Sequence, residues 1–121
     1  MNIFFIDYET TGLNQYHNEP IEIAIKQIDN DKYYQSLITP SFNGINYGYI
    51  PQKITELTGI KDKDIQNNSK DILRVTYEVI QYIEENNKEG PIYILAHNGL
   101  TFDFIFFKKM IYNVGKHTFY F

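Results

Sequence analysis

Apolar and polar positions divide the chain into segments of two periods. Ile3-Phe4-Phe5-Ile6 and Ile92-Tyr93-Ile94-Leu95-Ala96 are short apolar runs without polar alternation. Each predicts a strand covered on both faces, the first over residues 2–7. Pro20-Ile21-Glu22-Ile23-Ala24-Ile25-Lys26-Gln27-Ile28 alternates instead, which predicts a strand with one buried face. Asp29-Asn30-Asp31 is a tight turn, and Lys32 to Thr39 is the returning hairpin strand, ended by Pro40. Residues 41–49 read as loop. Pro51 opens a short helix through Leu57, and Gly59 stops it in a left-handed conformation. After Ser69 the period lengthens. Ile72, Val75, Val79 and Ile83 share one face, predicting an amphipathic helix over about 69–87 with Ser69 as its N-cap. A further helix is expected from Phe102 to about Asn113, closed by Gly115, and Thr118–Phe121 is strand-like.

The order is three strands, helices, strand, helix, strand. Helical crossovers place the later strands parallel to the first. The expected fold class is α/β, a mixed sheet with flanking helices in which the first and fourth strands are neighbours. Functional groups should gather where the carboxyl ends of those two strands meet.

That rim is acidic. Asp7 and Glu9 follow the first apolar run two positions apart, so both project to the same side of the strand end. Two carboxylates side by side repel each other, and either one takes a proton or a cation sits between them. A hard divalent cation prefers oxygen ligands, so Mg²⁺ or Mn²⁺ is the natural occupant. The plain alternative is a strand that leaves through two solvated acids. Asp103 falls in the first turn of the last helix, where the helix dipole favours its ionised form. The topology brings it near Asp7 and Glu9, although an acid at a helix start is also ordinary. His97 directly follows a buried strand, where a histidine is more often a hydrogen-bonded structural residue than a general base. His17 and His117 have no evident partner. Asn98 either holds the loop or touches a ligand. Tyr47 and Tyr49 are loop aromatics of a kind that stacks on bases.

Composition narrows the classes. The 121 residues suit one domain, and a net charge of −4 argues against a broad basic surface for nucleic acid. It leaves room for an enzyme that meets phosphate through metal. There is no Cys, so thiolate sites and disulfides are excluded. No apolar run is long enough to cross a bilayer and no signal peptide is evident, so no membrane partner and an intracellular location are expected.

Phe5-Ile6-Asp7-Tyr8-Glu9-Thr10-Thr11-Gly12-Leu13 resembles the first motif of the DEDD 3′-5′ exonucleases, the DnaQ-like and ribonuclease T-like enzymes. Ala96-His97-Asn98 with Phe102-Asp103 resembles the second motif, with one or so extra residues in the turn. Ile50-Pro51 and Leu57-Thr58-Gly59-Ile60 are similar to the intervening segment. The resemblance covers essentially the whole chain and implies a ribonuclease H-like fold. It implies that Asp7, Glu9 and Asp103 are the catalytic acids and ligate two divalent ions, with Asp7 the bridge. It implies that Thr10, Thr11, Gly12 and Leu13 face the terminal nucleotide of a single-stranded DNA or RNA 3′ end. It also implies that Phe102 packs near the base or sugar, with Asn98 beside them. The family's fourth acid, in a His-x4-Asp or Tyr-x3-Asp motif, is not found by Phe121. The expectation is therefore a single domain, 1–121, that is C-terminally incomplete and weakly active or inactive unless a larger protein or an associated chain completes it. Two other readings fit less of the chain: a degenerate domain that grips a 3′ end without cutting, and a phosphatase with Asp7 as nucleophile.

Overall fold

The isoleucine alternation of 20–28 sets the frame of the sheet. The computed structural model describes residues 2–12, 18–40, 50–97 and 103–113. Its elements are β1 (Asn2–Thr10), β2 (Pro20–Gln27), β3 (Tyr34–Ile38), α1 (Gln52–Thr58), α2 (Asp62–Asn68), β4 (Ser69–Lys70), α3 (Ile72–Asn86), β5 (Ile92–Leu95) and α4 (Asp103–Asn113). The strand order is β4-β3-β2-β1-β5. β1–β2 and β2–β3 are antiparallel, whereas β5 pairs parallel with β1 and β4 parallel with β3. The mixed sheet and the adjacency of the two apolar runs are as the sequence predicts. The strand-like residues 118–121, and Tyr47 and Tyr49, lie outside the described residues.

One face of the sheet carries the core. Phe4, Ile6 and Tyr8 of β1 and Ile23 and Ile25 of β2 pack beneath Val75, Val79 and Ile83 of α3 and Phe106, Phe107, Met110 and Ile111 of α4. A smaller cluster of Ile21, Ile50, Ile60 and Ile65 seats α1 and α2. Asn2 fixes β5 beside β1: its Nδ2 donates to the Lys88 carbonyl at 2.6 Å, and the Lys88 N–H donates back to its Oδ1. Tyr82 ties α3 to the hairpin, accepting from the Gln27 N–H at 3.0 Å and donating to the Lys32 carbonyl at 2.8 Å.

Two expectations are corrected. First, β1 and β5 are not covered on both faces. Phe5 (45% exposed), Tyr93 (50%) and Leu95 (43%) leave the second face open among the described residues. Their apolar character has no counterpart packed on it there. Second, the long helix does not start at Ser69. Ser69 and Lys70 pair with Leu37 and Ile38 as β4, and Asp71 caps α3 by accepting from the Leu73 N–H at 2.9 Å. Sheet pairing outcompetes helix propensity at these two residues. Asp71→Ala should therefore cost about 1 kcal/mol, read from denaturant unfolding of wild type and variant.

α2 was not evident in the periodicity, because Ile65 is its only buried residue. Acids at its N-terminus hold it instead. Asp64 accepts from the Lys61 N–H at 2.9 Å, and Asp62 accepts from the Ile50 N–H. β4 and α3 are joined by Glu78, which accepts from Lys70 Nζ at 2.9 Å and Tyr34 Oη at 2.7 Å. The hydrogen bonds from Lys70 and then Tyr34 hold its carboxyl down at about 2, so this tie is lost only in strong acid.

Candidate active site

Parallel pairing of β1 with β5 stops at Phe5 and Leu95. Beyond that point the β5-side edge of β1 has no strand partner among the described residues, and its amides need another acceptor. Asp103 supplies it. The Tyr8 N–H donates to Asp103 Oδ1 at 3.0 Å, across 95 residues of sequence. Asp103 lies in the first turn of α4 and is only 4% exposed. α4 is seated by Phe106, Phe107, Met110 and Ile111, and Tyr8 Oη reaches Met110 Sδ at 3.1 Å. The helix that buries its apolar stripe on β1 thus carries its first acid to the residue between Asp7 and Glu9.

Asp7 and Glu9 project from the opposite, open face of β1, with Asp7 exposed and Glu9 half-buried. Burial raises the Glu9 carboxyl, and the charges of Asp7, Glu22 and Asp103 raise it further. Burial also raises Asp103, and Asp7 adds to the rise, while the Tyr8 N–H and His97 oppose it. Backbone N–H groups at the start of α4 favour its ionised form, as the sequence predicts, but loss of water outweighs them. Its bond to the Tyr8 N–H places Asp103 beside the strand end that carries Asp7 and Glu9.

Among the described residues, no group of three or more His, Cys, Asp or Glu is set to hold a metal ion as it stands. Asp7 and Glu9 leave one face while Asp103 sits at the strand edge, so a closed cage needs side-chain rotation. The donor set itself suits a hard divalent cation, being oxygen only and self-repelling. Asp103→Asn keeps an acceptor for the Tyr8 N–H and removes a repelled charge. It should match or exceed the metal-free wild type in thermal stability at neutral pH. Asp103→Ala strands that buried N–H and should cost about 1–3 kcal/mol by the same melting measurement.

Thr10 and Thr11 are buried, and their hydroxyls serve the turn. Thr10 Oγ1 donates to the Gly12 carbonyl at 2.6 Å, and Thr11 Oγ1 accepts from the Glu19 N–H at 3.0 Å. A Cβ on Gly12 would meet the Asn18 side-chain amide at 2.6 Å and would have to displace it. Leu13, Asn98 and Phe102 lie outside the described residues. His97 is exposed at the end of β5, near enough for its charge to act on Asp103. Two contributors went unnoticed in the sequence: Tyr8, through its backbone, and Glu22, which stands directly opposite Glu9. Counting positions across the hairpin could have found Glu22; nothing in residue type marks Tyr8.

A family model described as Exonuclease, of RNase T type, matches residues 4–119. The chain is 28% identical over 110 residues to the Arabidopsis thaliana chloroplastic/mitochondrial exonuclease DPD1, covering 88% of this chain and 33% of that protein. It is 32% identical over 112 residues to the PolC-type DNA polymerase III of Thermotoga maritima, covering 90% of this chain and 7% of the polymerase. The crystal structure of E. coli exonuclease I in complex with a dT13 oligonucleotide superposes with a TM-score of 0.70 at 18% identity, over 91% of this chain and 23% of that one. The fold is thus the ribonuclease H-like one, and the chain spans a third or less of these relatives. The match over residues 4–119, with both acid-bearing motifs on one rim, sets the phosphatase reading aside, and the chain belongs to the DEDD 3′-5′ exonuclease family.

Proposed function

We propose that this domain hydrolyses phosphodiesters at the 3′ ends of single-stranded DNA or RNA in a divalent-metal-dependent reaction. The observation that supports it most is the Asp103 carboxylate held on the Tyr8 N–H between Asp7 and Glu9. Asp7, Glu9 and Asp103 would hold Mg²⁺ or Mn²⁺. Two such ions, when bound, clamp the attacking and leaving oxygens of an in-line displacement. Asp103 is fixed by the backbone bond and by α4, whereas Asp7 and Glu9 are free to turn toward it. The Thr10-Thr11-Gly12 turn, stitched to Glu19, offers rigid backbone beside the acids for the terminal nucleotide, with Leu13, Asn98 and Phe102 as further substrate contacts. Three acids account for metal ligands but leave the water-activating base unassigned, and a further segment or an associated chain would supply it. The complex of E. coli exonuclease I with dT13 supports a single-stranded substrate.

The test is incubation with 5′-labelled single-stranded DNA and RNA in Mg²⁺ or Mn²⁺. Stepwise 3′ shortening, weak for these 121 residues and stronger when the missing base is supplied, is expected. Family-like turnover by residues 1–121 alone would remove the need for a further contributor. No shortening under any condition, with tight 3′-end binding, would favour the non-cutting reading.

A further inference from the structure

Resting on that reading of the rim, we propose that Glu22 is a positioning residue: its carboxylate, tethered from β3, directs Glu9 toward Asp7 and Asp103. The register of the β1–β2 pair sets Glu9 directly opposite Glu22, on the open face of the sheet. Opposed residues have Cβ atoms about 5 Å apart, and like charges there destabilise a sheet. Next along the same pair, Asp7 faces Ala24, whose small side chain leaves the space beside Asp7 clear. Across the β1–β2 pair, the opposed like charges are thus those of Glu9 and Glu22.

Glu22 does not have Glu9's freedom to yield. Gln35 Nε2 donates to Glu22 Oε2 at 3.0 Å, which draws the Glu22 carboxylate toward β3. The ion pairs of Lys70 and Arg74 go to Glu78 rather than to this pair. With Glu22 anchored, repulsion falls on Glu9. It favours rotamers that lean away from β2, toward the edge where Asp103 waits. The same charge raises Glu9's affinity for a cation, which the electrostatic influence of Glu22 on Glu9 supports. A strand pairing that is locally unfavourable is thereby turned to holding a metal ligand in place.

The experiment measures Mn²⁺ affinity and metal-free melting for the wild type, Glu22→Gln, Glu9→Gln and the double variant. Glu22→Gln keeps an acceptor for Gln35 and removes only the charge. Its Mn²⁺ affinity should fall about fivefold, while its metal-free melting temperature stays level or rises. Glu22→Asp should restore most of the affinity, and Glu22→Gln should add nothing further in a Glu9→Gln background. Wild-type affinity in Glu22→Gln, or an effect that adds fully to that of Glu9→Gln, overturns the proposal. A lowered melting temperature in Glu22→Gln also overturns it, by showing a purely structural role. A wild-type chain that takes up no Mn²⁺ overturns instead the metal-site reading on which the proposal rests.

Discussion

Mn²⁺ titrated into Asp7→Ala or Glu9→Ala should bind more than about a hundredfold more weakly than to the wild type. The expectation comes from the donor count. Asp7, Glu9 and Asp103 are the proposed ligands, and removing one leaves too few oxygens to replace a hard cation's water. Calorimetric titration reads it directly, and equal affinity in both variants would remove the metal assignment. The pH dependence has a definite sign. Glu9 and Asp103 are both raised in the folded chain, so a metal bound there competes with protons wherever these carboxyls are protonated. Affinity should therefore rise with pH through the region above the usual carboxyl range of about 4. Without metal, protonation of these two carboxyls favours the folded state. That contribution is complete below the unfolded value and is lost as pH climbs through the folded ones. Saturating Mn²⁺ should reverse the trend, by about 2.7 kcal/mol at a hundred times its dissociation constant.

Phe107→Ala should destabilise the chain by about 3–5 kcal/mol, the largest effect of any single truncation considered. Phe107 is wholly buried, in the cluster that α4 shares with β1 and α3. Its removal leaves a void that neither the sheet nor α3 is free to close. The variant also separates two roles of α4. If the helix serves only as cover, metal affinity at temperatures where Phe107→Ala remains folded should be unchanged. If its seating holds Asp103 on the Tyr8 N–H, affinity should fall together with stability, which guanidinium unfolding with and without Mn²⁺ distinguishes.

The sequence showed the architecture where a pattern repeated. β2 was read from isoleucine alternation, α3 from its seventy-odd-to-eighties stripe, and the β1–β5 adjacency from crossover topology. It failed where a single residue decides. α2 rests on Ile65 and two N-terminal acids, and β4 on two residues whose pairing overrides a helix start. The apolar runs of β1 and β5 predict strands buried on both faces, yet one face is open among the described residues. Composition cannot distinguish an apolar face packed within these residues from one left uncovered among them. The sequence proximity of Asp7 and Glu9 and the start of α4 at Asp103 were legible because motif spacing survives without coordinates. The way Asp103 is held was not, since a main-chain N–H donor looks the same at every position.

The bond from Tyr8 to Asp103 spans 95 residues of sequence, and this bears on synthesis. The first two acids leave the ribosome early, but they stay without their third companion until α4 has emerged and docked. Nascent chains grow at about 5–20 residues per second, so this interval lasts seconds. Throughout it, a growing chain cannot form the contact between Tyr8 and Asp103, and fragments released early would carry the first motif without that third acid.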